Sequence, residues 1–331
     1  MVQAMNKSTW LVGWRPANPR AEGWIWAALG AVAFSGKAIV AKLMYQLGAD
    51  PISTVGLRML LALPLFAVMA WHSGRQLAAD RPRAMPWGQL VALGFSGYYL
   101  ASTLDFMGLR YISASLERAI LYLNPTLVLA IGVWRHGQRL RPLQLAALAV
   151  SYLGLTVVFW HDWRHVQLLA AGADPEQATF ALVLGSLLVL GSALAYAIYL
   201  VGSGQLVQTL GSQRLVSWAS CFACAMCLAQ WVAVHRLSGG AWGGVSQLPW
   251  QAWGLSAINA TVCTVVPIWM VMRGVQLIGA SAASQVGMIG PLSTLWMASV
   301  LLDEPVGPTL LLGTGLVLAG IIWLGRLKPA A

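Results

Sequence analysis

Apolar residues fill ten blocks along nearly the whole 331-residue chain, separated by short polar joints. A helix rises about 1.5 Å per residue, so roughly 20 apolar residues cross the hydrocarbon core of a bilayer. The blocks predict spans at Gly23–Tyr45, Ile52–Trp71, Trp87–Met107, Ile112–Val133, Pro142–Trp160, Phe180–Val201, Leu215–Val234, Trp250–Met272, Gly279–Leu302 and Pro308–Leu324. The expected fold class is therefore all-α and integral to the membrane, with the lipid bilayer as its first partner.

Composition removes the soluble alternatives. At 58% hydrophobic and 9% charged residues, the chain has too little polar surface to cover a water-soluble globule. Its 34 glycines suit close helix approach, and its 17 tryptophans suit the lipid–water boundary. A net charge of +10 on a soluble domain would suggest nucleic acid. Here the basic residues lie in short joints and report orientation instead. With the N-terminus inside, 13 of the 20 Lys and Arg fall on that side, 4 (Lys42, Arg110, Arg164, Arg236) on the other and 3 (Lys37, Arg58, Arg118) within spans. The positive-inside rule then puts both termini in the cytoplasm of a bacterial inner-membrane protein. Cys221, Cys224 and Cys227 recur at helical spacing and Cys263 lies in the eighth span, but no His–Cys cluster completes a metal site and no disulfide is implied.

The chain repeats itself. A shift of 166 residues brings Trp87-Gly88 onto Trp253-Gly254, Gly108 onto Gly274, Pro125 onto Pro291, Pro142 onto Pro308 and Gly154 onto Gly320. The first span aligns with the sixth at a slightly smaller shift, placing Phe34 over Tyr196. Two units of five helices follow. Because five is odd, the second unit enters from the opposite side, and the expected architecture is ten transmembrane helices as two inverted five-helix repeats. Such units can rock between inward-open and outward-open forms about a site at their interface.

The stretch YISASLERAILYLNPTLVLAIGVW (Tyr111 to Trp134), echoed by LIGASAASQVGMIGPLSTLWMASVLLDEP (Leu277 to Pro305), resembles the EamA-type members of the drug/metabolite transporter superfamily. In the second copy Asp303-Glu304-Pro305 resembles the family's Gly-Glu signature, whereas the first copy has His136-Gly137-Gln138 and lacks the acid. The resemblance implies export of amino acids or other small metabolites. The expected organisation is a cytoplasmic tail (1–22), a first repeat (23–161), an external linker (162–179), a second repeat (180–326) and a second cytoplasmic tail (327–331).

Charges within spans are expensive and normally face the bundle interior or a water-filled cavity. Lys37, Arg58, Asp105, Glu117 and Arg118 all lie in the first repeat, at depths that allow one layer in the outer half of the bilayer. Three positive and two negative charges leave one cation over. A purely structural network is one reading. The other makes the spare cation a receptor for a carboxylate or phosphate, with Lys37 the deepest candidate, and makes Asp105 or Glu117 a candidate proton carrier for coupled transport. Pro125 and Pro291 interrupt corresponding helices and are candidate hinges beside a cavity walled by spans 1–4 and 6–9, with spans 5 and 10 peripheral. Asn124, Tyr196, Tyr199, Asn259 and Gln285 complete the candidate substrate-binding set, as mid-span polar or aromatic residues. The two tyrosines share a helix face and suit either substrate stacking or packing between helices.

No Gly-x-x-x-x-Gly-Lys-Ser/Thr loop occurs, so a nucleotide is not the energy source, and no cofactor is called for. The expected function is secondary transport of a small amphipathic or anionic metabolite, with a small molecule as partner and no nucleic acid; the oligomeric state stays open. A non-transporting receptor or scaffold is the first rival. A membrane-embedded enzyme is the second, opposed by the position of all five histidines at span ends or in loops.

Overall fold

Helix boundaries fall where the sequence supplies a cap or a stop. The computed structural model describes residues 19–77, 85–136, 142–169, 175–237, 247–278, 286–287 and 289–327. Helix α1 (Pro19–Gln46) ends at Gly48, whose φ of 89° only glycine adopts readily. Asp50 then caps α2 (Pro51–Leu77), its carboxylate accepting from the amides of Ile52 and Ser53 at 2.9 and 3.0 Å. The third apolar block forms α3 (Trp87–Gly94) and α4 (Ala101–Leu109), joined by a π-helical stretch, Phe95–Leu100. The fourth breaks at Tyr122 and Leu123 into α5 (Ala114–Leu121) and α6 (Asn124–His136). Two long helices follow, α7 (Pro142–Leu169) and α8 (Pro175–Leu210); Gly211, at φ 80°, separates α8 from α9 (Ser212–Leu237). Next come α10 (Trp250–Ala260), a second π-helical stretch at Thr261–Val265, and α11 (Val266–Ile278). Then α12 (Gly290–Leu302) and α13 (Pro308–Arg326), each with proline in its first turn, complete the described helices.

No strand occurs among the described residues. Among the described residues seven helical segments are long and apolar enough to cross a membrane, two of them, Ala114–Trp134 and Trp250–Val271, running through more than one of these elements, and Gly290–Leu302 and Pro308–Leu324 are shorter apolar helices. The chain is a multi-pass membrane protein. Two predicted spans are not single continuous helices. The fourth is broken ahead of Pro125, because proline has no amide to give the carbonyl four residues earlier. The ninth is interrupted at Ile289, a turn residue between helical Val286 and Gly287 and the start of α12 beside Pro291.

Packing runs through glycines, which let backbones meet. A Cβ on Gly108 of α4 would lie 2.6 Å from the Gly185 carbonyl of α8 and 2.7 Å from Val189. On Gly274 of α11 it would lie 3.2 Å from the Gly23 carbonyl of α1 and 3.0 Å from Ala27. The α7–α13 seam is built the same way: Gly154 abuts Gly313 and Val317, and Gly320 abuts Ala147 and Ser151. Against these pairs the apolar core closes, one cluster joining Ile39, Val55, Phe66, Phe106, Cys224 and Val265 across five segments. Dispersion and close helix contact hold such a bundle, because lipid tails give no hydrophobic drive between helices.

Candidate functional site

Five ionisable side chains meet inside this packing. Lys37 (α1), Arg58 (α2), Asp105 (α4), Glu117 and Arg118 (both α5) are each no more than 8% exposed. The Lys37 ammonium donates to Asp105 Oδ2 at 2.5 Å and lies 3.9 Å from Glu117 Oε1. Arg118 Nε lies 3.6 Å from Glu117 Oε2, and its Nη2 donates to the Ser35 carbonyl at 3.5 Å. A chain of alternating charge, Asp105–Lys37–Glu117–Arg118, thus ties α4, α1 and α5 together.

Arg58 stands outside that chain. Among the described residues no carboxylate comes within 4.0 Å of it. Its guanidinium carbon lies 4.6 Å from the Phe106 ring centre, and its Nε and Nη2 have no hydrogen-bond partner. A desolvated cation–π contact returns about 2 kcal/mol, whereas burying an unpaired ion costs several kcal/mol even after relaxation. Removing the charge would therefore relieve the free protein.

The acids keep acceptor capacity in hand. Asp105 Oδ1 and both Glu117 oxygens accept no hydrogen bond, although cations lie close by. Glu117 sits in the first turn of α5, where the helix dipole favours its charge. The amides of that turn are fully used. Ala114 and Ser115 donate to Glu304 at 2.8 and 3.4 Å, Leu116 donates to Ser113 Oγ at 2.9 Å, and Glu117 donates to the Ser113 carbonyl at 3.0 Å. Lys42 Nζ, 3.9 Å from Glu304 Oε1, extends this second polar centre back to α1. Glu304 reaches α5 from 190 residues away in sequence, so no local pattern announces the cap; only the likeness to the Gly-Glu signature marks the residue.

The two proline breaks are repaired differently. Pro125 frees the Leu121 carbonyl, and the Asn124 side-chain amide donates to it at 2.8 Å. Pro291 frees the Gly287 carbonyl, and the hydroxyl of Tyr122, inside the other break, donates to it at 2.9 Å. Ser35 of α1 donates to the neighbouring Gly290 carbonyl at 3.0 Å. Gly290 must lack a side chain, because a Cβ would lie 2.5 Å from the Tyr122 hydroxyl oxygen. Tyr122 and Ser35 were not among the residues singled out from the sequence, since their partners are backbone carbonyls that no sequence pattern exposes.

A small cleft, with room for little more than a water molecule, lies beside these breaks, lined by Ser115, Arg118, Ala119, Tyr122, Pro291, Leu295, Thr314, Val317 and Leu318. Pro291 lies in its wall, and Pro125 is not among its lining residues. The last three residues belong to α13, which forms the tenth predicted span.

The remaining candidates lie apart. Tyr196 and Tyr199 stack on each other with ring centres 5.6 Å apart, and the Tyr199 hydroxyl lies 3.1 Å from that of Tyr98. Tyr199 also covers Gly97 of the first π stretch, so here the aromatic face packs between helices. Asn259 is fully buried with both side-chain amide atoms unpartnered, while its carbonyl accepts from Thr264 across the second π stretch at 2.7 Å. Gln285 lies outside the described residues. Among the described residues no group of His, Cys, Asp or Glu has a metal-binding arrangement.

Known proteins share this sequence and fold. The model of the EamA-like transporter family matches twice, over residues 21–160 and 183–326. The uncharacterized transporter YcbK of Bacillus subtilis (strain 168) is 30% identical over 296 residues, covering 89% of this chain and 90% of that protein. An uncharacterized protein of Haemophilus influenzae (strain ATCC 51907 / DSM 11121 / KW20 / Rd) is 32% identical over 108 residues, covering 33% of this chain and 80% of its own length. A solved crystal structure superposes with a TM-score of 0.55 at 17% identity, over 94% of this chain and 99% of its own, a likeness of fold.

Proposed function

We propose, from the premise that the chain belongs to the EamA-like transporter family, that it is a secondary transporter which exports a small amphipathic or anionic metabolite, such as an amino acid or derivative, by alternating access. It moves its solute rather than transforming it. The observation that carries this reading is the buried layer of three cations and two acids drawn from four helices. A bundle that needed only to pack would lose nothing by filling those positions with apolar residues of similar volume.

The moving parts in this proposal are two inverted five-helix repeats of a ten-span fold. Three observations support it. The family model matches once in each half. The π stretches begin at Phe95 and Thr261, positions related by the repeat. The glycine contacts exchange in the same register: Gly185 abuts Tyr111 and Ile112, and Gly23 abuts their counterparts Leu277 and Ile278. In a pair of units related by a two-fold axis, a contact between i and j implies one between their equivalents. The charge bias of the joints supports an inner-membrane location with both termini cytoplasmic. Proton exchange at Asp105 or Glu117 is the proposed coupling, since protonating either acid loosens its hold on Lys37.

Counterflow of a metabolite panel in proteoliposomes tests the function, with C-terminal alkaline phosphatase and fluorescent-protein fusions reporting orientation in cells. The expected outcome is accelerated exchange of at least one carboxylate-bearing metabolite, an inactive phosphatase and a fluorescent fusion. No movement across the panel would favour a receptor or scaffold, and an active phosphatase would overturn the topology.

A further inference from the structure

We infer that the side edge of Arg58, its Nε and Nη2, is the receptor for a single carboxylate group on the transported solute, and that Lys37, the foremost candidate from the sequence, is not. The inference rests on the transporter reading and adds the ligand class and the residue that takes it.

Lys37 is engaged by Asp105 and Glu117, and Arg118 by Glu117 and the Ser35 carbonyl. Both acids of the layer face those two cations, and among the described residues Arg58 is the cation of the layer with no carboxylate within 4.0 Å. The two partnerless atoms of its guanidinium are a matched pair. Nε–H and one N–H of Nη2 point the same way from one edge of the plane, which is the fork that grips two oxygens of one carboxylate in parallel. The guanidinium carbon lies over the Phe106 ring, 4.6 Å from its centre, a contact that helps to hold the group in place. At 3% exposure the side chain has exchanged water for this arrangement, and a ring face accepts nothing from the edge.

Charge selects the class of ligand. The layer sums to one positive charge, which a monovalent carboxylate neutralises, whereas a phosphate group near its second ionisation carries −1.5 to −2 and would leave buried negative charge over. Sulfur groups stand near the arginine, together with Asp105 and Tyr45: Cys224 and Cys227 are within its electrostatic reach, and Cys224 donates to the sulfur of neighbouring Met59. Those groups suit the apolar body of an amphipathic acid better than a polyanion.

The test uses purified full-length protein and reads its unfolding temperature against formate, acetate, butyrate and benzoate at constant ionic strength, with acetamide, benzamide and methylphosphonate as controls. At least one acid is expected to raise the unfolding temperature saturably, with the amides and the phosphonate inert. Arg58→Met should weaken that acid by about thirtyfold or more, as expected when one partner of a buried charge pair is removed. Without ligand it should unfold at or above the wild-type temperature, because an unpaired buried charge has gone. Arg58→Lys keeps the charge without the fork and should weaken the acid by about tenfold. The site is overturned if no acid stabilises the wild type, if the phosphonate or chloride does so equally, if both variants bind the acid like the wild type, or if Arg58→Met lowers the ligand-free unfolding temperature. Protein that binds the acids yet moves none in proteoliposomes would leave the site standing and remove the transport reading. Transport without carboxylate binding would remove the site alone.

Discussion

The two π-helical stretches occupy corresponding positions in the repeat, yet they meet different chemistry. Across from the first, Tyr199 of α8 lies over Gly97, stacks on Tyr196 and meets Tyr98 edge to face in an aromatic cluster. Across from the second, α1 presents Gly36 to Cys263, and the next residue, Lys37, turns to the acids of α4 and α5. Under the shift that places Phe34 over Tyr196, Lys37 falls on Tyr199. The backbone device is duplicated, and the charge is not. The two halves therefore share scaffold and differ in chemistry: irregular helices and glycine seams occur in pairs, while one half holds an ion layer and the other an aromatic plug.

The largest expected effect breaks the charged side of that comparison. Lys37→Met should destabilise the protein by about 3–5 kcal/mol, because it leaves Asp105 and Glu117 buried without their shared ammonium. Adding Asp105→Asn should restore much of the thermal stability without restoring transport. A double variant no more stable than Lys37→Met would show that the pair is not the source of the loss. A middle-sized effect sharpens the paired side. Gly154→Val and Gly320→Val should each cost about 1–3 kcal/mol by forcing branched side chains into the α7–α13 seam. If their midpoints in denaturation scans shift by amounts that differ severalfold, the two glycines are not equivalent. The smallest effect is at the aromatic plug. Tyr199→Phe removes one hydroxyl contact and should cost about 1 kcal/mol, with counterflow retained; a transport defect as severe as that of Lys37→Met would move the site into the second half.

How much of this was legible beforehand follows from what each feature depends on. Apolar blocks read directly as helices, because period and length are local properties of the chain. The five ionisable residues also stood out, since a charge in such a block is conspicuous by itself. Their pairing did not, because the choice of Lys37 over Arg58 as partner for Asp105 is made by helix rotation. Asn124 looked like a cavity residue and instead donates to the carbonyl that its neighbour Pro125 leaves free. Glu304 closes α5 across the bundle, a contact that needs the two halves assembled. The proline positions suggested paired hinges, yet one break is mended within its own helix and the other by Tyr122 from the opposite half.

The extra residue in each π-helical stretch has a consequence for chain length. An α-helix turns 100° per residue, and a π turn absorbs one more residue than an α turn without advancing the axis by a full step. Asp105 lies downstream of Phe95–Leu100 on the same rod. Its bearing on Lys37 thus depends on the count of residues in that stretch: with one residue fewer between Trp87 and Ala101, the carboxylate would swing about 100° around the rod, away from the Lys37 ammonium. The pairing at the heart of the molecule is written partly in a number of residues, not only in their kind.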